Sequence, residues 1–336
     1  VQAPDSEVLN LVQVLTEGGA INLFAGTITH SGELNANSMT MDAQGNIILT
    51  AQQDITLTET STTTANNSVG DAGSISIENQ DGLIASTGTV QANGKQGGSV
   101  TITGDWAGLG GTIEANGTEQ GGQINIDVEG LSLADHITAT STQGTGGDIN
   151  IHSATSVWES NTSHVDASGQ DGGSISLIAG QQIASSGHYT ARGATGAGGQ
   201  IDITAPATKF LSAQINADGA TSGGQIRLGG EYQGGKDLTT DELPNAQILA
   251  ASSGTTISAK STTDNGDGGT VIIWADQKAE VYADVQTQQG INNTQNPGFI
   301  EISSGDTLVY GGSANAGIDG TVLFDPKNIT IADATT

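Results

Sequence analysis

The chain of 336 residues contains no cysteine and only 5 prolines. Without cysteine there are no disulfide staples and no thiolate metal sites. Aromatic residues make up 3% of the sequence, too few for the compact core of an ordinary enzyme of this length. Basic side chains are scarce as well. Eight Lys and Arg stand against 36 Asp and Glu, for a net charge of −28, and none precedes Lys95. Such a chain lacks the basic patch that neutralises phosphates, which argues against nucleic acid as a partner. No apolar run reaches the ~18 residues that cross a bilayer, so the chain is not expected to be membrane-embedded. It opens at Val1 without a signal peptide and reads as a segment of a longer protein.

What is abundant is glycine, 50 residues of it, and the glycines keep time. A motif of Gly, any residue, Ile or Val, polar, apolar begins at Gly19, Gly45, Gly73, Gly98, Gly122, Gly147, Gly173, Gly199, Gly224, Gly269, Gly298 and Gly320, at intervals of 22 to 29 residues apart from one of 45. We expect the long interval to hold two coils and an insertion. A second motif lies between the anchors: apolar, polar, Ala, polar, small, as in Val90-Gln91-Ala92-Asn93-Gly94 and Ile215-Asn216-Ala217-Asp218-Gly219. Both alternate apolar with polar, the period of a strand buried on one face. One such coil cannot bury its own apolar face, but a stack of them can. The expected fold is therefore all-β: a parallel β-helix (β-solenoid) of about 12–13 coils of roughly 25 residues. Residues 1–17 read as a partial coil or cap, 18–229 as regular coils, and 230–247 as an inserted loop protruding from one coil. Residues 248–336 read as coils with larger loops and a C-terminal strand segment.

One ordered series is distinctive. Gly223-Gly224-Gln225-Ile226-Arg227-Leu228-Gly229-Gly230-Glu231-Tyr232 is followed by Leu243-Pro244-Asn245-Ala246, by Gly269-Thr270-Val271-Ile272-Ile273-Trp274-Ala275-Asp276, and by Gly320-Thr321-Val322-Leu323-Phe324-Asp325-Pro326. This series resembles the filamentous-haemagglutinin-like exoproteins of the two-partner secretion pathway of Gram-negative bacteria. The resemblance is close over residues 220–331 and rests on the repeats alone over 18–220. It implies a right-handed β-helix shaft of a secreted adhesin or biofilm matrix protein at the cell surface. Its partners would be a host-cell, bacterial or polysaccharide ligand. An outer-membrane secretion pore would be reached through an amino-terminal domain that this sequence lacks. An alternative from another class is a β-helix protein that binds or degrades polysaccharide as a lyase or glycosidase.

Candidate sites are few, and the chain is expected not to be an enzyme. Lys236 beside Asp237, Asp241 and Glu242, with Tyr232, makes the inserted loop the expected ligand-contact site. Asp264, Asn265 and Asp267 have the composition of a calcium loop without the EF-hand spacing; no cofactor is expected, with calcium the one ion in question. The histidines His30, His136, His152, His164 and His188 fall at different phases of the repeat and read as exposed surface residues. Trp106 and Trp158 share no phase with Trp274, which is expected to pack under the insertion. Sequons occur at Asn66, Asn116, Asn161, Asn292 and Asn328.

Overall fold

The computed structural model describes residues 6–10, 12–236 and 243–331. The chain is an all-β parallel solenoid of about 11 turns with ~26-residue coils and almost no helix. It divides into two compact units: Val1–Ala154 with Thr162–Gly169, and Thr155–Asn161 with Gln170–Thr336.

A coil of the first unit shows how sequence becomes structure. After the anchor Gly73 comes an anchor strand, Ser74–Asn79, then a middle strand, Leu83–Ser86, then a third strand, Thr89–Gln91. In the next two coils the first two strands run together as Ser99–Leu109 and Gln123–Leu133. Each strand pairs in parallel with its equivalent one coil away, so Ile47, Ile75, Val100 and Ile124 form one column. These four side chains are at most 1% exposed. Each contributes about 1.5–3 kcal/mol by leaving water. The second unit repeats the device with Ile175, Ile201, Ile226, Val271 and Ile300. Anchor glycines are needed where turns of adjacent coils meet: a Cβ on Gly98 would sit 2.0 Å from the carbonyl oxygen of Gly73.

A second ladder runs along the turn after the third strand. The side-chain oxygen of Asn37 accepts the backbone N–H of Asn66 at 2.6 Å, and Asn66 does the same for Asn93 at 2.7 Å. Asn93 then accepts from Asn116, and Asn116 from Thr140, both at 2.8 Å. Each asparagine thus satisfies a backbone donor of the following coil, as buried turns require.

The interval of 45 residues is one coil, not two. Ile226 pairs directly with Val271 and Arg227 with Ile272, so the residues after Leu228 are an insertion within a single turn. Its described ends fold back onto the outward face of the anchor strands.

Candidate functional site

The anchor strands Gln200–Thr204, Gln225–Leu228, Thr270–Ala275 and Phe299–Ser304 line up in register. Their outward positions carry Asp202, Arg227, Ile272 and Glu301, all buried. On a strand with one face solvated these would be wet. Here the insertion covers them.

The contacts can be built residue by residue. The Arg227 guanidinium donates to both carboxylate oxygens of Asp202, through Nε at 2.7 Å and Nη2 at 2.6 Å, and its Nη1 donates to Glu231 at the start of the insertion. The hydrogen bond it donates to Asp202 is the main reason the Arg227 pKa lies above the usual arginine value, so the cation is permanent. This is a planar fork between two carboxylates, with each carboxylate burial offset by a charge-assisted hydrogen bond. Next, a short 3-10 turn covers Tyr232–Gly235, with Gln233 and Gly234 at φ of 51° and 66°. The Gln233 N–H lies 3.1 Å from each oxygen of Glu301. Burial pushes the Glu301 carboxyl above the ordinary glutamate value, and the nearby charge of Asp325 adds to this, while hydrogen bonds from Gln233 and Ser303 work against it.

The Trp274 indole packs under the insertion, as the sequence led us to expect. A Cβ on Gly234 would meet its ring at 2.5 Å, and one on Gly230 at 2.9 Å. The indole N–H donates to Asp276 at 2.9 Å, and Asp276 also accepts from Asn245 at 3.1 Å. Asn245 donates in turn to the Gly234 carbonyl at 3.0 Å, which ties the two limbs of the insertion together. Pro244 is fixed through its carbonyl, which accepts from Thr204 at 2.7 Å. Tyr232 meets Phe299 edge to face, with ring centroids 5.8 Å apart. Of the expected ligand-contact residues, Tyr232 and Lys236 are exposed at the outer surface. Asp237, Asp241 and Glu242 lie outside the described residues.

The acid loop is braced from the neighbouring coil. Asp267 Oδ1 accepts from Asn293 at 2.6 Å and from Asn296 at 3.0 Å, while Asp264 and Asn265 are exposed. Among the described residues no three acidic or imidazole groups are placed to share a metal ion.

The histidine reading needs correction in two places. His30 is fully buried, not exposed, with Nε2 3.2 Å from the Thr62 carbonyl oxygen. Burial lowers its pKa, so it stays neutral in the core. His136 and His164 share one phase after all: they are paired across adjacent third strands, with rings stacked 4.9 Å apart. The spacing between them, 28 residues, had hidden this because the coils differ in length. His152 does sit on the surface, 2.7 Å from Asp127. Sequence reasoning also missed a polar cluster in the second unit: the Tyr189 hydroxyl, fully buried, meets Glu159 and lies 2.9 Å from Ser185. A phenol at the apolar position of its strand was the only signal for it.

No family model matches the chain, and no curated protein matches it. Among solved structures it is similar to the HMW1 secretion domain from Haemophilus influenzae, at 17% identity over 92% of this chain and 91% of that one, with a TM-score of 0.42. A likeness this distant is too weak to transfer a function.

Proposed function

We propose that the chain is a shaft segment of a secreted bacterial surface adhesin or biofilm matrix protein, working mechanically rather than by catalysis. The observation that carries this reading is the register of the coils. Within each unit successive anchor strands align residue for residue, so that sequence is spent on extending a column of buried aliphatics. Stability in such a stack is a sum of neighbour interfaces. The strongly acidic composition suits a soluble structure outside the cell, and the ordered series from Gly223 to Pro326 resembles known exoproteins of that kind. The one arginine in the second unit's sheet is locked between two carboxylates, which leaves it unfit as a catalytic base or an anion clamp.

The test is co-sedimentation of the purified chain with a panel of neutral and acidic polysaccharides and with whole bacterial or epithelial cells, with and without calcium, while products are followed by size-exclusion chromatography. Retention on a surface without shortening of the polymer is expected. Shortened polymer would sink the reading in favour of a polysaccharide-degrading enzyme. Failure to be retained on any surface would make the segment a spacer.

A further inference from the structure

In the first unit the middle strands carry a level patch on their outward face. Trp106 stands in register between Leu83 of the preceding coil and Gly130 of the following one. Trp106 is 46% exposed and Leu83 44%. The position of the indole is fixed by Gly130. A Cβ on that glycine would lie 2.4 to 2.6 Å from Cζ3, Cε3 and Cη2 of the ring. Three contiguous ring atoms at nearly one distance mean that the glycine meets the ring on its face. The indole therefore lies flat over the Gly130 backbone and turns its other face to solvent.

The surface beside the ring is level as well. Two residues further along the strands, Ala85 pairs with Gly108 and Gly108 with Ser132. A Cβ on Gly108 would meet nothing within 4 Å. Its φ is not positive, and the pairing runs through it without a break on either side. Neither crowding, nor a bend, nor a bulge asks for glycine here. Glycine inside a strand weakens it, and without a backbone reason it marks a place where something else comes close. The flat indole and the bare glycine beside it are independent signs of one thing, a face kept level for a flat ligand.

Charge selects the ligand. Asp105 and Glu129 immediately precede Trp106 and Gly130, so they sit one coil apart, about 4.8 Å, along one edge of the patch. Glu129 is exposed and Asp105 half-buried. The strands Leu83–Ser86, Ser99–Leu109 and Gln123–Leu133 contain no Lys or Arg. Such an edge repels uronic and sulfated sugars and attracts cations. We propose that this face binds a glycan with free amino groups, a glucosamine polymer such as chitosan. The C–H face of one pyranose lies on the Trp106 indole, and the next ring passes over Gly108 and Ala85. The ammonium groups meet Asp105 and Glu129, and an indole face is itself attractive to an ammonium ion. The assignment goes beyond the shaft reading and fails separately from it, since retention on a surface can arise elsewhere on the chain.

The experiment is isothermal titration of the full chain with a glucosamine tetramer and, in parallel, with an N-acetylglucosamine tetramer, at about 0.15 M salt so that diffuse attraction is screened. The free-amine tetramer is expected to bind with a Kd on the order of 1 mM, and the acetylated one at least about 10-fold more weakly. Trp106→Ala removes the platform and should weaken binding about 10-fold. Gly108→Val is the decisive variant. A β-branched side chain in open space on a strand should leave urea resistance unchanged or raise it. The step it makes in the floor should still weaken binding about 10-fold, which a merely structural glycine would not do. If Trp106→Ala fails to fold by circular dichroism, Gly108→Val carries the test alone. Three results would overturn the proposal. One is no binding of the free-amine tetramer at about 10 mM. Another is equal binding of the two tetramers, which would remove the role of charge. The third is binding that Gly108→Val leaves unchanged, which would reduce it to attraction by the net charge of the chain.

Discussion

The outward positions of the anchor strands read very differently in the two units. In the first they carry Ser76, Thr101, Asn125 and Asn150, exposed or half-buried, with Asn150 donating to Asn125 at 3.1 Å. In the second, the same phase carries Asp202, Arg227, Ile272 and Glu301, all buried. The backbone and the inner column are alike in both. What differs is one insertion, and the outer residues beneath it have become a second, mixed core. A solenoid can thus acquire a specific covered surface without disturbing the stack, because its two faces are set independently by alternate residues.

The sharpest way to break the comparison is Arg227→Met. It removes the one cation between two buried carboxylates, and uncompensated buried charge costs about 3–5 kcal/mol. The expected outcome is a large drop in urea resistance of the second unit and faster tryptic cleavage at Lys236, as the insertion lifts. Unchanged cleavage would mean that the fork is not what holds the insertion. A smaller effect should follow Gly234→Val. Its side chain would run into the Trp274 ring and would have to adopt a φ of 66°. A loss of about 2 kcal/mol is expected, with a red shift of the indole emission. Trp106 and Trp158 are already 46% and 50% exposed, so a shift reports on Trp274. The first unit supplies the control. Asn93→Ala deletes an acceptor for Asn116 N–H and a donor to Glu114. It should cost about 1 kcal/mol, seen as faster amide exchange at Asn116 and as no change at Lys236.

Much of this was legible in the sequence, and the illegible part has a common cause. Alternation and anchor glycines announce the strands because strand geometry is local. The position of Trp274 under the insertion could be read from Val271-Ile272-Ile273, an apolar run too long for one buried face. The Asp202–Arg227–Ile272–Glu301 row could not. These residues line up only once the register is known, and the insertion is close to a coil in length, so the 45-residue interval reads as two coils. The same uncertainty of register hid the His136–His164 pair.

The mildest perturbation tests the electrostatics of the covered face. Glu301 faces the Gln233 N–H from the insertion, Ser303 from its own strand and the charge of Asp325 from the following turn. Its folded pKa lies above the ordinary carboxylate value because of burial. A carboxyl raised in this way holds its proton to higher pH in the folded state than in the unfolded chain. Its contribution to stability is therefore full below the ordinary value and is lost as pH rises through the raised one. Glu301→Gln keeps an acceptor for Gln233 and removes the ionisation. Wild type and variant should have equal urea midpoints in acid, and the variant should become the more resistant as pH approaches neutrality. The opposite order, with wild type gaining on the variant as pH rises, would show that an ionised Glu301 is what the Gln233 amide holds. In that case the insertion would be fastened by charge at both ends, at Arg227 and at Glu301.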